Sequence, residues 1–296
     1  MLFGAIDIGS NAGRLLIGNI SESEGHPVVK KILLVRVPLR LGEDVFTDKK
    51  IPNSKVKMLV KTLKAFRHLM DVYDVEDYRA CATSAMREAD NRKDVLEIVK
   101  DETGIKLEVI DGEEEAELIF SNYFTQNLEK KKSYLYIDVG GGSTEVSLLE
   151  NGEKKQSKSF KIGTLRILKG KVDEKRWVDL KEWVKTLNPE HKEIIAIGTG
   201  GNINRILKLN HSDEENHITY PEIKKIQAHL AGYTVKDRIE KLGLRPDRAD
   251  VIVPAADIYL AVMRYADVKE MLVPKIGLTD GIVYSLYKKA MKKVEA

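Results

Sequence analysis

One cysteine, Cys81, is the only thiol in the chain, so an intramolecular disulfide is excluded. Its place between Ala80 and Ala82 reads as a buried, inert thiol rather than a nucleophile. Charge of one sign is also lacking. The 49 Lys and Arg stand against 46 Asp and Glu, and the resulting +3 gives no global field of the kind that binds nucleic acid or a membrane surface. The longest apolar tract, Val251 to Met263, contains Pro254 and Asp257 and falls short of the roughly 20 residues a bilayer span needs. The first residues, MLFGAID, lack a basic region and meet Asp7, so no export signal is expected and a cytoplasmic location is. Metal-ligand spacing is missing among the histidines: His191, His211, His217 and His229 are isolated, and no histidine metal centre is indicated.

What is present is concentrated in Tyr134 to Leu149, YLYIDVGGGSTEVSLL. Apolar strand formers lie on both sides of Asp138, three consecutive glycines, Ser143, Thr144 and Glu145, which reads as strand, tight turn, strand. Each glycine costs roughly 0.5 to 1 kcal/mol relative to alanine in an ordered element, and a hairpin turn uses one or two. Two readings stand side by side. One is a glycine hairpin with solvated acids. In the other, the N–H groups of Gly140, Gly141 and Gly142 and the hydroxyls of Ser143 and Thr144 meet an anion, and Asp138 holds a hydrated Mg²⁺. The absence of a following Gly-Lys-Ser/Thr excludes a Walker loop, and the strand that follows excludes a dinucleotide fingerprint.

The same unit opens the chain. Asp7-Ile8-Gly9-Ser10-Asn11 matches Asp138 to Gly142 in type and in flanking strands, so two related α/β domains are expected, divided at residues 1–122 and 123–296, with both turns on one interdomain cleft. The closing helix of the second domain has the option of packing back on the first. Val28 to Val37 continues the first sheet, and apolar spacing of three and four predicts a helix over Asn53 to Val72. Tyr78 to Ala85 reads as a strand that leaves Arg87 at its end, beside hydroxyls in a βα connection of the kind that binds anions. A strand over Lys106 to Ile110 leads to a helix from Glu113 to Leu128, whose first turns carry Glu113, Glu114, Glu115 and Glu117. The helix dipole favours acids there, and spacing does not choose a base among the four. Lys154, Lys155, Lys158 and Lys161 form either a solvated face or a basic track for an extended anion. A strand from Lys192 to Ile197 runs into Gly198-Thr199-Gly200-Gly201-Asn202 and a helix from Ile203 to Leu209, which suits either a phosphate site or a structural turn. Near the end, Gly277 to Gly281 reads as a turn before a helix over Ile282 to Val294.

Taken together, DIGSN at 7–11, TSAMREADN at 83–91, GEEEAELIF at 112–120, DVGGGSTE at 138–145, GTLR at 163–166 and IGTGGN at 197–202 resemble the exopolyphosphatase and guanosine pentaphosphate phosphohydrolase family, over essentially the whole chain. The resemblance implies two ribonuclease-H-like domains of the actin, heat-shock-70 and sugar-kinase superfamily. It implies Glu115 as the general base, Arg87 as a clamp on a phosphoryl oxygen, and Asp138, Glu145 and Asp7 as holders of Mg²⁺ or of the attacking water. Gly9, Ser10, Asn11, Gly140, Gly141, Gly142, Ser143, Thr144, Gly198, Gly200 and Gly201 would bind substrate phosphates. The substrate would be inorganic polyphosphate or a guanosine nucleotide, with a superfamily phosphotransferase and a non-catalytic sensor as remoter readings. Two departures stand out: Ala12 replaces a hydroxyl residue of many relatives, and the helical HD-type domain of long relatives does not follow the second domain. A homodimer is compatible with the resemblance.

Overall fold

The computed structural model describes residues 1–23, 26–127, 129, 132–188, 193–210 and 216–294. Leu128, His191, Lys192 and His211, on which parts of the expectations above fall, lie outside the described residues. The chain forms two compact units, one of residues 1–127 with 276–296 and one of residues 128–275.

In the first unit, β1 (Phe3–Ile8), β2 (Ala12–Ser23) and β3 (His26–Pro38) precede α1 (Gly42–Asp48) and α2 (Asn53–Val72). Then come β4 (Asp77–Ala82), α3 (Ser84–Glu88), α4 (Arg92–Thr103), β5 (Leu107–Val109) and α5 (Gly112–Asn127). The sheet order is β3-β2-β1-β4-β5. β2 is antiparallel to β1, whereas β4 is parallel to it, and all six residues of β1 are buried, as a central strand covered on both faces requires. In α2 the residues Val56, Leu59, Val60, Leu63, Phe66 and Met70 face the interior, the stripe that the spacing predicts.

In the second unit, β6 (Ser133–Val139), β7 (Thr144–Glu150) and β8 (Glu153–Phe160) are followed by α6 (Thr164–Leu168), α7 (Glu174–Thr186), β9 (Ile194–Thr199) and α8 (Gly201–Leu209). The unit is completed by β10 (His217–Thr219), α9 (Tyr220–Ala231), α10 (Val235–Glu240), α11 (Pro246–Ala249), α12 (Ile252–Tyr265) and β11 (Glu270–Leu272). Its sheet runs β10-β11-β9-β6-β7-β8. Apart from the added edge strand β10, this repeats the order of the first sheet, with β6, β7 and β9 in the places of β1, β2 and β4. The duplication seen in the turns therefore extends to both sheets. α12 is apolar almost all round, with Ile252, Ala255, Ile258, Tyr259, Val262 and Met263 buried, so the tract from Val251 is a core helix. No helix among the described residues is long and apolar enough to cross a membrane.

The last helix, α13 (Leu278–Val294), belongs with the first unit. Gly281 lets it lie against α5, because a Cβ there would collide with the Leu118 carbonyl. The expected turn at Gly277 to Gly281 is already the first turn of this helix, since an Asp280 carboxylate oxygen accepts from the Gly277 N–H at 3.0 Å. Two further expectations are corrected. β4 stops at Ala82, where its partner β1 ends at Ile8, so Arg87 sits in the short helix α3 rather than at a strand end. His217, expected in a linker, starts β10, where Ile218 is buried and the His217 ring lies 2.7 Å from a Glu270 carboxylate oxygen.

Two consequences can be measured. Cys81 is 0% exposed, and burial pushes its thiol up to about 12 against the opposing pull of Arg79. Native protein should therefore leave Cys81 unlabelled by iodoacetamide at pH 8, whereas unfolded protein should label fully; rapid native labelling would contradict this burial. Asp280 is 4% exposed and pairs with Lys31 at 2.8 Å, yet burial holds its carboxyl above the usual aspartate value. The folded state thus keeps the proton to higher pH than the unfolded chain. The stabilising contribution is fully present below about pH 4 and is lost as pH rises through the raised value. In urea unfolding, Asp280→Asn should gain on the wild type as pH increases from 4 to 8, since Lys31 is partly exposed and can rehydrate. A pH-independent difference would contradict the burial effect.

Candidate active site

The glycine turn of the second unit is shaped from both sides. It closes with the Gly140 N–H donating to the Ser143 carbonyl at 2.9 Å. The Gly140 carbonyl accepts from Thr164 N–H at 3.1 Å and the Gly141 carbonyl from Leu165 N–H at 2.9 Å, so the start of α6 is docked onto the turn. The buried Arg166 side chain donates to the Gly142 carbonyl. Gly163 makes the approach feasible: a Cβ there would stand 2.5 Å from the Gly141 carbonyl oxygen and from the Gly142 carbonyl carbon. With the carbonyls of Gly140, Gly141 and Gly142 drawn to α6, the turn has a fixed conformation in which backbone donors can be preorganised. Thr144 differs from its expected role. It is fully buried and its hydroxyl donates to the Ile162 carbonyl at 2.6 Å, so that proton holds the turn instead of reaching toward a phosphate.

Strand register places the acids. Thr199, Asp138, Glu145 and Ser159 lie directly opposite one another across β9, β6, β7 and β8, and so share one face of the sheet. Glu145 is 4% exposed, and one of its oxygens accepts from the Ser159 hydroxyl at 2.9 Å. Like charges opposite one another are destabilising unless a cation compensates them, and two carboxylates are a donor set of hard oxygens suited to Mg²⁺. Among the described residues no group of three or more His, Cys, Asp or Glu is arranged to hold a metal, so a cation here would complete its shell with water and phosphate oxygens. Thr199 is held twice, its carbonyl by the Tyr259 hydroxyl at 2.6 Å and its own hydroxyl by Tyr136 at 2.8 Å. The Tyr259 hydroxyl titrates well above the ordinary tyrosine value because it is buried, with the charges of Asp138 and Glu145 adding to the shift.

The second glycine cluster divides into two roles. Gly200 has φ +96, a left-handed conformation, and a Cβ there would meet an Asp138 carboxylate oxygen at 3.0 Å. The β9–α8 turn and the β6–β7 turn therefore meet at Asp138. Gly201 lies under the Arg248 guanidinium, which donates to its carbonyl at 3.0 Å. Gly198 is a strand residue, and the space a side chain would take is filled by Met271 of β11 and by Ile203. Close packing by Met271 by itself accounts for a glycine at this position. Two of the four lysines near the turn also have local work. Lys155 pairs with Glu153 at 2.6 Å, and Lys158 lies 5.1 Å above the Phe160 ring, on a strand at the sheet edge where lysines discourage pairing with another chain.

In the first unit, the Gly9 N–H donates to the Ala12 carbonyl at 3.1 Å, the counterpart of the Gly140 contact. The carbonyl of Ser10 accepts from Gly42 N–H and that of Asn11 from Leu39 and Arg40 N–H. The hydroxyls of Ser10 and Ser84, both buried, are 2.8 Å apart, which joins the first turn to the β4–α3 connection. Asp7, the expected counterpart of Asp138, has Arg14 opposite it on β2, which pairs with its carboxylate. A guanidinium already neutralises that charge. Arg87 donates to the Ile110 carbonyl at 2.7 Å, immediately before α5. Of the four acids on α5, Glu113 and Glu117 are exposed and Glu114 is bound by Arg79 at 2.6 Å, while Glu115 is half-buried. Sequence reasoning did not single out Arg14, Ser84, Ser159 or Thr199. Ser84, Arg166 and Thr199 do stand inside the TSAMREADN, GTLR and IGTGGN segments, and that placement is the signal that pointed to them.

The chain matches the Ppx/GppA phosphatase family over residues 20–290. It is 30% identical over 286 residues to the bifunctional 3-dehydroquinate synthase/phosphatase of Fusobacterium nucleatum, covering 88% of this chain but only 43% of that protein. It is 26% identical to exopolyphosphatase 1 of Mycobacterium tuberculosis, covering 96% of this chain and 87% of that one. Among solved structures, an exopolyphosphatase from Cytophaga hutchinsonii superposes with a TM-score of 0.83 at 25% identity, covering 98% of both chains. With a family match across nearly its whole length and a shared fold, the chain belongs to the Ppx/GppA phosphatase family.

Proposed function

We propose that the chain is a divalent-metal-dependent phosphoanhydride hydrolase that releases the terminal phosphate of inorganic polyphosphate. The observation that carries this reading is the pair Asp138 and Glu145, side by side at the base of a glycine turn that α6 and Gly163 hold in one conformation. The N–H groups of Gly141, Gly142 and Ser143 bind the oxygens of one phosphoryl group while the Gly140 N–H closes the turn, and Ser10 and Asn11, in the equivalent turn closed by the Gly9 N–H, serve a second. Gly200 and Gly201 complete the cradle at Asp138. Glu115 accepts a proton from water as the water oxygen attacks the terminal phosphorus. The bridging P–O bond breaks, and the shortened chain leaves with the electron pair. Arg87 neutralises charge on an equatorial phosphoryl oxygen. Asp138 and Glu145 hold Mg²⁺, or another divalent cation, which when bound supplies positive charge to the phosphate oxygens. The cytoplasm is the expected setting.

The same groups would act on the terminal phosphate of guanosine pentaphosphate, a second reading that the family's joint name supports. Phosphate release from short polyphosphate, long polyphosphate and guanosine pentaphosphate, measured side by side, separates the two. The proposal expects the fastest release from polyphosphate, with EDTA lowering release by about 10²-fold or more and Mg²⁺ restoring it. Undiminished release in EDTA would remove the metal from the reading, and hydrolysis of guanosine pentaphosphate alone would replace the substrate.

A further inference from the structure

The acids at the start of α5 are not equivalent, and the one beside Glu115 has a specific partner. Arg79 on β4 donates from Nη2 to a Glu114 oxygen at 2.6 Å and to a Glu108 oxygen on β5 at 2.8 Å, with Nε adding a bond to Glu108 at 3.0 Å. One guanidinium thus ties the last two strands of the sheet to the first turn of the helix. That turn is fixed at two other points. The Asp111 carboxylate accepts from the N–H groups of Glu113 and Glu114, and Arg87 holds the Ile110 carbonyl.

A partly exposed ion pair contributes little stability, and the helix dipole alone would favour an acid at position 114 without any partner. Neither consideration explains why Glu114 is joined to a guanidinium already bonded to Glu108. Successive residues in a helix are separated by about 100° around its axis, so fixing the rotation and height of the turn at Glu114 fixes Glu115 as well. We infer that Arg79 and Glu114 form a clamp that positions Glu115. They are positioning residues, and their role rests on the reading of Glu115 as the base. Misplacement of a reacting group by about 1 Å can cost as much as about 10²-fold in rate, so a loosened turn should be visible in turnover before it is visible in stability.

The test is a double-mutant cycle on Arg79→Met and Glu114→Gln in the full chain, read by phosphate release from polyphosphate and by amide hydrogen exchange over residues 112–117. Each single variant should lower kcat about tenfold with KM within about twofold, and exchange in the first turn of α5 should accelerate. The double variant should be no slower than the worse single one, and Arg79→Lys should recover part of kcat. Single variants within twofold of wild-type kcat, or losses that multiply in the double variant, would overturn the clamp. If wild-type protein releases no phosphate, the hydrolase reading fails and exchange alone decides. Equal acceleration in both singles and the double still supports the clamp, and unchanged exchange overturns it.

Discussion

Glu115→Gln should lower turnover by about 10² to 10⁴ while KM moves by no more than about threefold. The substitution keeps the size of the side chain and its ability to accept a hydrogen bond, but the amide does not take up a proton at neutral pH. A loss confined to kcat is therefore the signature of a missing base. The neighbours provide internal controls. Glu113 and Glu117 are exposed on the same helix, so Glu113→Gln and Glu117→Gln should stay within about twofold of wild type. If Glu115→Gln keeps wild-type turnover, or if all three variants fall equally, the assignment of the base is wrong and the acids serve the helix terminus.

Gly163→Ala should have the second largest effect, on both stability and activity. The added methyl would stand 2.5 Å from backbone atoms of Gly141 and Gly142, and backbone has no alternative rotamer. Either the start of α6 or the glycine turn must move, and the N–H bonds to the Gly140 and Gly141 carbonyls lengthen with it. Overpacking of this kind costs about 1 to 3 kcal/mol, and the displaced turn should lower kcat/KM by at least about 10²-fold. Gly198→Ala is the informative contrast. Its methyl would meet the Met271 side chain, which is flexible and can repack, so it should cost stability but change kcat/KM much less. The pair of variants separates a glycine that shapes the turn from one that fills the core. Equal activities in the two would show that the α6 contact does not set the turn.

Local signals were the ones legible in the sequence. The stripe of α2 and the Asp-x-Gly repeat both depend on residues within a few positions of one another, and both lead to the observed elements. What escaped depends on distant partners. Gly198 resembles a phosphate glycine until Met271, 73 positions later, is seen to occupy its side-chain space. Asp7 and Asp138 occupy equivalent turns, yet only the first has an arginine opposite it on the next strand, a difference set by register. Thr144 reads as a donor because its burial against Ile162 has no local mark. α6 is five residues long, too short for a periodic pattern, and its importance lies in the turn it supports. The closing helix α13, for which packing back on the first domain stood as an option, joins the first unit through contacts with β1, β2 and α5.

The central claim is that water, activated by this chain's own carboxylate, attacks the terminal phosphorus of a polyphosphate. Its most direct test is polyphosphate cleavage in ¹⁸O-labelled water with Mg²⁺, with and without added ADP, followed by mass analysis of the released phosphate. The account expects one labelled oxygen in each phosphate released, no ATP formed, and a rate lowered by about 10² to 10⁴ in Glu115→Gln. Unlabelled phosphate, or phosphoryl transfer to ADP that survives Glu115→Gln, would contradict it.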